Sequence, residues 1–84
     1  MPTLTLYTKP DCSLCDEALS ALERVRERVP FALEVVDISA DPALSARYGE
    51  RIPVVLVDGA QAYEYAVDEA ELQRRLAAGA GVAR

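Results

Sequence analysis

TLTLYTKPDCSLCDEALSALERVRERVPFALEVVDI, residues 3–38, reads as strand, helix and strand in one continuous run. Thr3 to Thr8 alternates Leu4 and Leu6 with Thr3, Thr5 and Tyr7, the period-two pattern of a strand. Lys9-Pro10-Asp11 breaks that pattern. From Cys12 to Val29 the apolar residues Leu14, Ala18, Leu22, Val25 and Val29 recur every three or four positions, which predicts an amphipathic helix with one buried face. Glu23, Arg24, Arg26, Glu27 and Arg28 fill the other face as solvated charges, with opposite signs three residues apart. Pro30 stops the helix. Phe31 to Ile38, rich in apolar and β-branched residues, reads as a buried strand. Two strands joined by a helix in so short a span form a βαβ unit, so they are expected to be parallel.

Downstream, Asp41-Pro42 has the form of a helix start, Asp as N-cap and Pro at the first helical position. Leu44 and Tyr48 share a face of that short helix, and Gly49 is expected to end it in the left-handed conformation. Ile52 to Val57 reads as a strand. Asp58-Gly59 suits a two-residue type I′ turn, after which Gln61 to Tyr65 pairs back as an antiparallel edge strand. Asp68 and Glu71 match a capping box, and Ala70, Leu72, Leu76 and Ala77 are the expected packing face of a last helix. Gly79 is expected to end that helix, leaving residues 79–84 as a frayed tail. The order βαβ, short α, ββα yields an α/β domain: a mixed four-stranded sheet with helices on both faces. The pattern alone leaves the strand order open.

The 84 residues fit a single domain, residues 1–84. The formal net charge is −5, and the basic residues form no stripe, which excludes nucleic acid as an expected partner. No apolar run approaches the roughly 20 residues that cross a bilayer, so no membrane association is expected. Met1-Pro2-Thr3-Leu4 has no basic segment followed by an apolar one, so a cytoplasmic location is expected. The default oligomeric state is a monomer.

Both cysteines lie in the first turn of the first helix, just after the first strand, and there is no histidine. A bridge across so short a loop removes little chain entropy, so a purely structural staple is a poor explanation. Cys12 opens the helix, where unsatisfied backbone N–H groups and the macrodipole favour an anion. A thiolate there is stabilised and activated. Cys15, almost one turn further, is expected to be more buried and within reach of Cys12. Asp11, Asp16 and Glu17 surround the pair and oppose a thiolate, so only a moderate lowering of the Cys12 pKa is expected.

Tyr7-Thr8-Lys9-Pro10-Asp11-Cys12-Ser13-Leu14-Cys15 resembles the active-site segment of glutaredoxins and other small thioredoxin-fold proteins. Ile52-Pro53-Val54 resembles the segment that holds their cis-proline, and the likeness runs from about Leu4 to Leu76. The resemblance implies a thioredoxin fold (β-α-β-α-β-β-α) and a thiol–disulfide oxidoreductase serving electron transport and cell redox homeostasis. It implies Cys12 as nucleophile, Cys15 as resolving thiol, a cis Pro53 facing the pair, and an Ile52 backbone free to pair with substrate. Lys9 stands where glutaredoxins often carry a lysine that meets the thiolate or a glutathione carboxylate; the alternative is a solvated loop lysine. Tyr7 either flanks the cysteines or packs at the strand end. Arg51 either meets an anionic substrate or is solvated.

The implied partners are a disulfide-bearing or glutathionylated protein, with glutathione or a thioredoxin-reductase-type enzyme as reductant. No bound cofactor is implied, and glutathione enters as a candidate co-substrate. The chain departs from the family in three places: Ser13-Leu14 separates the cysteines, no tryptophan precedes Cys12, and Tyr63-Glu64-Tyr65-Ala66-Val67-Asp68 lacks the usual Gly-Gly pair. The last departure touches the glutathione site, and capping already explains Asp68. Two rival readings remain. One is a zinc or iron–sulfur site shared between two copies, since two cysteines alone fall short of four ligands. The other is a binding module on the same fold without the chemistry.

Overall fold

Leu4 and Leu6 of strand β1 (Thr3–Thr8) are buried in the interior of a four-stranded sheet. A computed structural model describes the backbone of residues 1–82 and the side chains of residues 1–78. β1 is followed by helix α1 (Ser13–Arg26), strand β2 (Ala32–Asp37), a 3-10 turn (Ile38–Ala40) and helix α2 (Pro42–Tyr48). Strands β3 (Val54–Val57) and β4 (Ala60–Glu64) and helix α3 (Glu69–Val82) complete the chain. The sheet order is β2-β1-β3-β4, with β1 and β2 parallel and the other pairs antiparallel. This is the thioredoxin fold, and among the described residues no helix is long and apolar enough to cross a membrane.

The alternation along β1 divides the core in two. Leu4, Leu6 and Val55 face α1 (Ala18, Leu22, Val25) and α3 (Leu72, Leu76), with Phe31 closing the layer. Val54 and Leu56 point the other way and meet Ile38 and Tyr48 beneath α2, with Tyr7, Val36, Leu44 and Ile52 at the margin. Helices therefore cover both faces, because successive side chains of each strand point to opposite sides.

The chain ends of these elements are held locally. Asp41 accepts from the N–H groups of Ala43 and Leu44 and caps α2. Asp58 and Gly59 both have positive φ, 49° and 85°, as a type I′ hairpin turn requires. A bulge between Val55 and Leu56 shifts the β3–β4 register by one residue.

Five local expectations are corrected. Val35 shares a face with its register partner Leu6 yet is 50% exposed, because β2 is an edge strand that the helices cover only in part. β2 is thus not a buried strand; an apolar run does not reveal whether its neighbours cover it. Leu14 lies outside the buried stripe of α1, which runs through Cys15, Ala18, Ala21, Leu22 and Val25. Gly49 ends α2 at φ −53°, not in the left-handed region. Its lack of a side chain matters instead because a Cβ there would collide with the Ser45 carbonyl oxygen. On α3, Leu72 and Leu76 are buried whereas Ala70 and Ala77 are exposed. Finally, α3 continues through Gly79 to Val82; alanines, the best helix formers, flank that glycine and offset its cost of about 1 kcal/mol. Ala83 and Arg84, the rest of the expected tail, lie outside the described residues.

The capping box is only half formed. Asp68 accepts from the Glu71 N–H at 3.0 Å, but the Glu71 carboxylate does not reach back. It accepts the Tyr63 hydroxyl and pairs with Arg75 at 3.4 Å, tying α3 to β4. Burial, followed by the hydrogen bond to the Glu71 carboxylate, pushes the Tyr63 phenol above the ordinary tyrosine range. A raised folded-state pKa means that this stabilisation is full below about pH 10 and is lost as pH rises through the folded value. The wild-type minus Tyr63→Phe difference in phenolate absorbance is therefore expected to titrate above the ordinary range. Thermal stability should also fall less at alkaline pH in the variant. A difference signal titrating at an ordinary tyrosine value would refute the contact.

Candidate functional site

The turn from β1 into α1 is built to present one sulfur and hide the other. Asp11 adopts φ 58°, a left-handed conformation that Asp tolerates better than most residues, and redirects the chain. Cys12 follows in extended conformation (φ −113°, ψ 104°) as the N-cap of α1. Its Sγ accepts a hydrogen bond from the Cys15 N–H at 3.2 Å, occupying one of the donors that a helix N-terminus leaves unsatisfied. Its carbonyl accepts from the Asp16 N–H at 3.1 Å, the first turn of the helix. Cys15 belongs to the inner stripe of α1 and is 2% exposed, while Cys12 remains partly exposed. The two are joined in a disulfide with Cα atoms 5.2 Å apart. An incoming thiolate or disulfide thus meets Cys12 first.

The sheet register brings a second segment to the same place. Tyr7 pairs with Val54, so Ile52 and Pro53 lie beside the end of β1, from which the cysteine turn departs. The Ile52–Pro53 peptide is cis and Pro53 is buried. Among the described residues the Ile52 backbone makes no hydrogen bond, whereas the Pro53 carbonyl accepts from the Tyr65 N–H at 2.8 Å.

The other sequence candidates are spread around this centre. Tyr7 stacks obliquely on Tyr48, ring centroids 5.0 Å apart, and serves the core beneath α2. The Lys9 Nζ lies 3.6 Å from where a Gly49 Cβ would stand, at the C-terminal end of α2, where backbone carbonyls favour a cation. Arg51 reaches Glu64 at 3.9 Å, an exposed and weak pair. Cys12, Cys15, Ile52 and Pro53 therefore gather at one end of the sheet, with Lys9, Tyr7 and Arg51 tied to neighbouring elements.

Tyr65 has no forerunner among the sequence candidates. Its φ of 67° and the Ala66 N–H donating to the Glu64 carbonyl at 2.7 Å define a γ-turn with a left-handed centre. Such a turn is rare and strained, the more so for a bulky residue. Tyr65 lines a groove of about 470 Å³ with Leu14, Asp16, Glu17 and Val67. Across it Arg24 of α1 grips Glu69 of α3 through two hydrogen bonds of 3.0 and 2.8 Å. The hydrogen bond from Arg24 holds the Glu69 carboxyl below its ordinary range. No spacing rule in the sequence marks Tyr65, whose N–H partner, the Pro53 carbonyl, belongs to a different segment.

A model of the family described as Glutaredoxin-like domain (DUF836) matches residues 3–77. An uncharacterized protein of Mycobacterium tuberculosis (strain ATCC 25618 / H37Rv) is 30% identical over 81 residues, covering 90% of this chain and 84% of that protein. The X-ray structure of protein XcR50 from X. campestris superposes with a TM-score of 0.74 at 37% identity, covering 89% of this chain and 96% of that one. A mutant thioredoxin from Halobacterium salinarum NRC-1 superposes with a TM-score of 0.66 at 24% identity, covering 92% of this chain and 73% of that one, a likeness of fold alone.

Proposed function

The chain belongs to the glutaredoxin-like domain (DUF836) family, and from that premise we propose that it is a thiol–disulfide oxidoreductase working through Cys12 and Cys15. The observation that carries this reading is the asymmetry of the pair: Cys12 partly exposed with its sulfur on the Cys15 N–H at the mouth of α1, Cys15 buried behind it. In the reduced protein the Cys12 thiolate, stabilised by that N–H and by the helix dipole, attacks a substrate disulfide. One substrate sulfur leaves as a thiolate, and a mixed disulfide forms on Cys12. The Cys15 thiolate then attacks Cys12 Sγ and releases the second substrate thiol. The protein ends oxidised, the substrate having gained two electrons and two protons. The Ile52 backbone, without a hydrogen bond among the described residues, holds the substrate main chain during both steps. A dithiol or glutathione returns the protein to its reduced form, in a cytoplasmic setting.

Equilibrating the protein across glutathione redox buffers, with acid-trapped samples read by intact mass, tests this. The expected result is a reversible loss of two hydrogens from the reduced protein across a single transition. If no buffer converts dithiol into intramolecular disulfide, the oxidoreductase reading fails.

A further inference from the structure

Resting on that reading, we propose that the groove between α1 and the β4–α3 connection docks the polypeptide carrying the substrate disulfide and selects segments with apolar and basic residues beside the reactive cysteine. Leu14, the residue before Cys15, lines the groove, and Tyr65 on its other wall is hydrogen-bonded to the Pro53 carbonyl, so the groove adjoins the segments that carry the cysteine pair and Pro53. Its lip is apolar: Leu14 and Tyr65 are 49% and 53% exposed, two of the few large apolar side chains left in solvent. Its charge is one-sided. Arg24 and Glu69 neutralise each other, while among the described residues neither Asp16 nor Glu17 has a cationic partner within ion-pair distance.

The conformation of Tyr65 points the same way. Glycine would adopt φ 67° without strain, yet this position carries a bulky aromatic that the core does not use. Neither backbone ease nor packing explains the ring, whereas contact with a partner does. An aromatic and an aliphatic lip above two carboxylates complements an apolar–basic peptide, and repels an acidic one.

Protein reduced with dithiothreitol and desalted is reacted in single turnovers with three disulfides: the dimers of acetyl-Lys-Phe-Cys-amide and acetyl-Glu-Phe-Cys-amide, and hydroxyethyl disulfide as a small neutral reference. Each reaction converts one probe disulfide to two thiols and the protein dithiol to its disulfide, read by acid quench and mass. At low salt the basic dimer is expected to react about tenfold faster than the acidic one, with the ratio collapsing to about twofold near 1 M salt. In the double variant D16N/E17Q the low-salt ratio is expected to fall below about threefold. In Tyr65→Gly the rate with the basic dimer, divided by that with hydroxyethyl disulfide, is expected to drop about fivefold. Glycine suits that backbone, so the variant folds; Leu14→Ser, at an exposed position, is expected to lower the same quotient. A basic-to-acidic ratio unchanged in D16N/E17Q, or a quotient unchanged in both lip variants, overturns the docking surface while leaving the oxidoreductase reading intact. Failure to reduce hydroxyethyl disulfide at all overturns both.

Discussion

Cys12→Ser is expected to lower disulfide exchange by at least about a thousandfold, because a serine hydroxyl is un-ionised at neutral pH and forms no mixed disulfide. The loss is chemical and not structural. Cys12 caps α1 through its sulfur, and serine is among the best N-cap residues, so the Cys15 N–H keeps an acceptor. Cys15→Ser has a different signature. Cys12 remains partly exposed and can still attack, but nothing behind it resolves the product. The variant is expected to stop at one equivalent of mixed disulfide, seen as a stable mass adduct after a single turnover with hydroxyethyl disulfide. Cys12→Ser should show neither adduct nor turnover. Exchange retained within tenfold of wild type in Cys12→Ser would mean that the helix-capping sulfur is not the nucleophile.

Leu22→Ala is the stability counterpart. Leu22 is 0% exposed and sits in the layer where α1 meets β1 and α3. Truncating such a leucine removes buried methyl groups and leaves a cavity, a cost of about 3 kcal/mol. A domain this small has only about 4–12 kcal/mol in total, so the loss is a large share of its stability. The expected reading is a fall in Tm of about 15 °C and a lower urea midpoint with little change in slope. Leu14→Ala makes the same chemical change eight residues earlier on the same helix. There it is expected to cost no more than about 0.5 kcal/mol, because Leu14 is already half in water. Equal losses from the two variants would contradict the assignment of the buried face of α1.

That contrast shows where local reading stops. The strand, helix and strand over residues 3–38 were legible because period-two and period-3.6 patterns, a proline stop and the βαβ connection each have a local cause. The α2 cap at Asp41 and the Asp58-Gly59 turn were legible for the same reason, since their residues are chosen by backbone geometry a few bonds away. Leu14 fits a helical stripe as well as Cys15 does; only the placement of the sheet decides which of them turns inward. Val35 likewise looks like a core residue until β2 proves to be an edge.

The cysteine pair was legible down to its difference in burial, since spacing and position at a helix start are properties of neighbouring residues. Cys12, Cys15 and the order of elements around them were thus determined by the sequence by itself, because each rests on contacts within a turn or two of chain. Tertiary structure alone decided the company they keep. It placed Ile52 and Pro53 beside the end of β1 through the Tyr7–Val54 register, and drew Lys9 toward the end of α2. It also held Tyr65 left-handed against the Pro53 carbonyl at the edge of a groove. These arrangements depend on strand order and on hydrogen bonds between segments more than ten residues apart, and no local pattern encodes which distant segment will be the neighbour.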